Sequence, residues 1–153
     1  MADAMGIAYF AATLPLAGGV LGSSAGIAFA ASSGASTLAE DPGQFKNVLI
    51  LVSLPMTRTF YGLIQMMYMV LVYIPSVEIT LTRALGMVGV GLLGFFAQFI
   101  SAWAQGRICA SGISMMPLTR GKNLMPTVMK AAFAELLGVL GIVFTILGLL
   151  LVG

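Results

Sequence analysis

Four long apolar stretches, at roughly 5–37, 47–74, 80–116 and 124–152, leave little of the chain outside them. A helix crosses the hydrocarbon core of a bilayer with about 20 apolar residues, so each stretch is long enough to span. The first and third exceed that minimum by about ten residues or more and are expected to tilt or project. Between them lie "AEDPGQFK" (39–46), "IPSVEITLTR" (74–83) and "MPLTRGKN" (116–123), each with a proline, glycine or charge cluster that ends a helix. The prediction is an all-α membrane protein with four transmembrane helices.

Composition excludes most other readings. With 59% hydrophobic residues, 8% charged residues and no histidine, an ordinary soluble domain is ruled out. A net charge of +2, dispersed along the chain, offers no nucleic-acid footprint. One cysteine, Cys109, makes no internal disulfide. Met1 to Phe10 carries Asp3 and no basic residue, which is unlike the positive start of a secretory signal, so the first segment reads as a mature helix. The glycines form no nucleotide loop, and no nucleophile and base stand together, so the chain is not expected to be an enzyme.

Positive charge sets the expected orientation. Lys46, Arg107, Arg120, Lys122 and Lys130 fall at the end formed by the first and third breaks, whereas the other end has Arg83 beside Asp3 and Glu78. The positive-inside rule then makes loops 39–46 and 116–123 cytoplasmic and both termini external.

The chain also repeats. A shift of 79 positions lays Gly62 on Gly141, Met56 on Glu135 and "PGQF" over "GKNL"; one residue more lays "AGIAFAAS" (25–32) on "QGRICASG" (105–112). Two tandem, parallel hairpins are expected, 1–75 and 76–153, the first having lost a carboxylate that the second keeps. Parallel duplication argues against the inverted repeats of many secondary transporters. The first and third segments are crowded with small residues and the second and fourth are bulkier. Several copies closing into a ring would need that arrangement, although ordinary bundles also have small-residue faces.

The residue that most demands a role is Glu135, in "FAELLGVLG". A carboxylate at the bilayer centre costs about 2.5 to 3.5 kcal/mol on insertion scales, so its default reading is functional. Withdrawal from water disfavours the ionised form, which suits the group to taking up and releasing a proton. The plainer alternative is a glutamate that snorkels to the surface near Lys130. Arg58, in "LPMTRTFYG", is the second intramembrane charge. It either pairs with Glu135 of its own or a neighbouring subunit, or snorkels between subunits or to a lipid headgroup. Thr57, Tyr61 and Gln105 are placed near the same level, with oxygens that suit a hard cation or a protonated acid. The run "QMMYMV" (65–70) and Met115–Met116 read as lipid- or neighbour-facing packing, and Trp103 and Tyr73 as packing or interface anchors.

On "FAELLGVLG", "LPMTRTFYG" and "AQGR" (104–107), the chain resembles the membrane rotor subunit of V-type ATPases, the proteolipid or subunit K. That resemblance implies a homo-oligomeric ring turning against a membrane stator subunit, with a central stalk on its cytoplasmic loops and lipid around it. It implies ion transport driven by ATP hydrolysis in other subunits. Glu135 then matches the ion-carrying glutamate. One carrier per four helices gives more free energy per ion, which suits a pump. Sodium-transporting members of the family use a carbonyl, a threonine and two glutamines beside the acid. This sequence keeps those positions at Leu54, Thr57, Gln105 and Glu135, with Tyr61 where a tyrosine holds the carboxylate. Arg58 replaces the remaining glutamine. At 4 Å and an effective dielectric of about 20, a fixed cation repels Na⁺ by about 4 kcal/mol. The expectation is therefore H⁺, with Na⁺ at Glu135, Gln105, Thr57 and Leu54 as the alternative, and no other cofactor. "LPxTxxxYG" also resembles prokaryotic members, pointing to a bacterial or archaeal plasma membrane. Two readings outside the family stay open: a small stand-alone transporter coupled through Glu135, and a structural tetraspan holding Glu135 and Arg58 as an ion pair.

Overall fold

A computed structural model describes residues 2–152. Four helices, α1 (Ala2–Glu40), α2 (Pro42–Ser76), α3 (Leu81–Ser114) and α4 (Leu124–Val152), are each long and apolar enough to cross a membrane. They run up and down as two hairpins, α1 with α2 and α3 with α4.

The connections are tighter than the sequence predicts. Asp41 alone separates α1 from the 3-10 turn Pro42–Gln44 that opens α2. Its Oδ1 accepts from Gly43 N at 3.1 Å and its Oδ2 from Gln44 Nε2 at 2.9 Å, while Pro42 needs no N–H partner in a first turn. The break expected at 39–46 is therefore mostly helical. Between α2 and α3 only 77–80 is non-helical, because Thr80 Oγ1 caps α3 by accepting from Arg83 N. The third break contains a one-turn helix, Met116–Thr119, which ends at Arg120 (φ 51°) and Gly121 (φ 76°). A side chain at Gly121 would be strained at that φ and would run into Gln44 and Asn47, so the two loops at this end fit against each other.

Small residues let the inner pair touch. Gly18 and Gly22 of α1 abut the backbone at Phe95 and Phe99 of α3, and Gly26 meets Gly106 backbone to backbone. Helices α2 and α4 lie outside this pair, with α2 drawn onto α1 where Gly62 meets Pro15 and Leu16. Their outer faces present Phe60, Leu63, Ile64, Phe133, Leu136 and Phe144, as lipid or a neighbouring copy requires.

The interior has three levels. Near the termini, Ala8, Met69, Tyr73, Met87 and Leu149 form one apolar cluster; near the two-loop end, Leu51, Cys109, Ile113, Met116 and Ala131 form another. Between them lies a buried polar layer of Arg58, Gln65, Gln98, Ser101, Gln105 and Thr145. The methionine run is thus only partly outward: Met67 is exposed, but Gln65 and Met69 are buried, as is Met116 beside exposed Met115. A helix of 3.6 residues per turn turns part of any six-residue run inward. Trp103 packs edge-on against Phe29 and carries Arg107 over its ring.

Candidate ion-carrying site

Pro55 shapes the local backbone. Lacking an N–H, it breaks the regular ladder, and Leu54–Met56 becomes a 3-10 turn in the middle of α2. Ser23 of α1 donates to Pro55 O at 2.8 Å and fixes this turn to the inner helix. The Leu54 carbonyl accepts from the Thr57 backbone N–H and lies 3.1 Å from Thr57 Oγ1.

Opposite this turn stands Glu135, 11 positions into α4 and so about 16 Å from its start. Its Oε1 accepts from Tyr61 OH at 2.6 Å, from Thr57 Oγ1 at 2.9 Å and from Arg58 Nη1 at 2.8 Å. Its Oε2 accepts from Gln105 Nε2 at 2.8 Å, and that nitrogen also reaches Ala131 O at 3.1 Å. Every neighbour is a donor, which matches an ionised carboxylate, an acceptor only. Thr57 has one hydroxyl proton for two acceptors, Leu54 O and Glu135 Oε1, while Arg58 Nη1 donates to its oxygen at 2.9 Å.

The two charges differ in access. The Glu135 side chain is 26% exposed between α2 and α4, whereas Arg58 is fully buried. Arg58 Nε donates to Ser101 Oγ at 2.8 Å, and its guanidinium lies against Gly138 and 5.4 Å from the Tyr61 ring centre. Gln98 Nε2 donates to Gly138 O at 3.0 Å. Among the described residues, Arg58 Nη2, Gln98 Oε1 and Gln105 Oε1 are buried without hydrogen-bond partners.

All six positions singled out from the sequence, Leu54, Thr57, Arg58, Tyr61, Gln105 and Glu135, meet at this one place. Arg58 turns toward the acid of its own chain. Sequence reasoning missed Ser101 and Gly138, which lie against the arginine, and Gln98, which bonds the Gly138 carbonyl. The only signal available was helical spacing: Gln98, Ser101 and Gln105 share one face of α3.

Residues 10–69 match the ATP synthase C-subunit family. The V-type sodium ATPase subunit K of Enterococcus hirae is 27% identical over 127 residues, covering 83% of this chain and 80% of that protein. The chain is thus similar to the ATP synthase C-subunit family over its first hairpin and to a V-type subunit K over most of its length. ATP synthase C and V-type K subunits are non-catalytic rotor subunits of rotary ATPases, and the C-subunit family forms rings. The family match falls in the first hairpin, whereas Glu135 stands in the second.

Proposed function

We propose that this chain is a V-type ATPase proteolipid whose ring carries H⁺ on Glu135, driven by ATP hydrolysis in other subunits. The observation that carries this reading is the Arg58 guanidinium, 2.8 Å from Glu135 Oε1 and linked to Thr57. A resident cation stands among the oxygens an alkali ion would need, so a neutralising proton is the charge the acid can still accept. The ionised, arginine-paired carboxylate is the unloaded state. Protonation occurs as the exposed edge of Glu135 passes a water-accessible path in a stator subunit.

One observation favours Na⁺ as a second reading. Leu54 O, Thr57 Oγ1, Glu135 and a Gln105 amide converge, and a sodium ATPase subunit is among the relatives. Labelling of Glu135 by a dicyclohexylcarbodiimide-type reagent in the purified ring, with and without NaCl, separates the two. Labelling unaffected by Na⁺ is the expected result; protection by Na⁺ transfers the proposal to sodium.

The remaining parts of the reading follow from charge and repetition. The basic two-loop end faces the cytoplasm and takes the central stalk, both termini lie outside, and the membrane is a bacterial or archaeal plasma membrane. The hairpins 1–75 and 76–153 are a duplicated unit in which Met56 occupies the place of the second acid. The family match within one hairpin supports that origin.

A further inference from the structure

The loaded state poses a problem that the unloaded state does not. Once Glu135 is protonated, Arg58 remains a fully buried cation without its counter-ion. Such a charge is tolerated only with good hydrogen-bond acceptors around it. The described residues leave unpaired donors and acceptors near it. Arg58 Nη2 is a buried donor with no partner, and Gln98 Oε1 is a buried acceptor with none.

The two side chains share a neighbour on α4, Gly138, and Ser101 ties the guanidinium to the turn of α3 that carries Gln98. Arg58 Nε bonds Ser101 Oγ, and Ser101 Oγ in turn reaches Gln98 O at 3.2 Å. Across the gap, the Gln98 amide nitrogen bonds Gly138 O, and Arg58 Nε lies 2.5 Å from the place a Cβ on Gly138 would take. Guanidinium and amide therefore converge at Gly138.

We infer that Gln98 is a positioning residue for the transport cycle: it receives Arg58 when Glu135 takes up its proton. In this exchange H⁺ adds to a carboxylate oxygen, the Glu135–Arg58 ion pair breaks, and the guanidinium pivots about its Ser101 bond toward Gln98 Oε1. Gln98 thus stabilises the loaded state without touching the transported ion. The inference rests on Glu135 as a proton carrier.

The test uses the intact purified ring and the rate of carbodiimide labelling of Glu135 at pH 7. Gln98→Leu, or Gln98→Met should the leucine ring not assemble, is expected to slow labelling about tenfold, the size of one hydrogen bond to a charged group. In an Arg58→Gln background, or Arg58→Met should that ring not assemble, the slowing disappears. A merely structural Gln98, held through Gly138 O, would give a slowing that persists in that background and would overturn the inference. Unchanged labelling in the single variant would overturn it too. Gln65 Nε2 is another buried unpartnered donor on α2; slowing by Gln65→Leu that matches Gln98→Leu, with none of it lost in the Arg58 background, would assign Gln98 Oε1 to Gln65 instead. Failure of wild-type labelling at every pH would sink the carrier reading itself, whereas normal wild-type labelling with unresponsive Gln98 variants would sink only this inference.

Discussion

Arg58 fills the space that Gly138 leaves open. A Cβ on Gly138 would lie 2.5 Å from Arg58 Nε, 2.7 Å from Cδ and 3.0 Å from Cζ. While Glu135 is ionised the arginine is held in this space, its Nε tied to Ser101 and its Nη1 to Glu135 and Thr57. Glycine in mid-helix costs about 0.5 to 1 kcal/mol relative to alanine, so its presence in α4 has to be offset by this fit.

Gly138→Ala is therefore expected to destabilise the ring despite the better helix former, by about 1 to 3 kcal/mol for overpacking. Heat-induced dissociation of the purified ring, followed on a gel, measures this. Combining it with Arg58→Ala empties the space and should recover most of the loss. A Gly138→Ala ring as heat-stable as the original would mean that the guanidinium does not occupy this place.

Removing the acid tests the pair from the other side. Glu135→Gln is expected to abolish transport and also to lower ring yield, since one member of a buried ion pair left alone costs about 3 to 5 kcal/mol. Adding Arg58→Gln removes the stranded cation, so assembly should return while transport stays absent. Ring yield and ATP-driven ion uptake in reconstituted vesicles separate the two effects. Equal yields for Glu135→Gln and wild type would mean that other acceptors satisfy Arg58 in full once the acid is neutral.

Much of this was legible in the sequence because membrane physics is restrictive. Four apolar segments allow few folds, and Glu135 in a greasy helix announces itself by its cost. Thr57, Arg58 and Tyr61 lie within five positions of one another, so one helix face carried that side of the site. Ser101 and Gln98 were not legible, because a lone serine or glutamine in a membrane helix commonly does no more than bond a neighbouring helix. Their meaning depends on which way Arg58 turns, a tertiary fact. The short connections were missed for a local reason: Asp41 and Thr80 cap helices that charge and proline content alone would end sooner.

Arg58→Gln tests the choice of ion directly. The substitution removes a fixed positive charge and supplies an amide oxygen beside Leu54 O, Thr57 Oγ1, Gln105 and Glu135, a set of oxygens suited to a hard monovalent cation. Na⁺ is expected to protect Glu135 from carbodiimide in this variant and to leave the wild type unprotected. The predicted change is large, since the repulsion removed is about 4 kcal/mol at 4 Å and an effective dielectric of about 20. Absence of sodium protection in the variant would show that Arg58 is not what excludes the ion.

The last prediction concerns the scaffold that holds the site in register. Gly106 of α3 meets Gly26 of α1, where an added Cβ would run into the Gly26 Cα and carbonyl. That contact is backbone, which cannot swing aside as a side chain can. Gly106→Ala is expected to push α1 from α3 and, because Gln105 is the next residue, to pull its amide from Glu135 Oε2. Both ring assembly and carbodiimide labelling should suffer. Gly89, also on α3, has nothing within 4 Å of its added Cβ, so Gly89→Ala is expected to leave both intact and to gain up to about 1 kcal/mol from helix propensity. The contrast isolates close approach from the general effect of adding a methyl group to a glycine-rich helix. Equal damage from both substitutions would mean that α3 tolerates no added bulk at all, and that the Gly26–Gly106 contact is not what fixes the spacing.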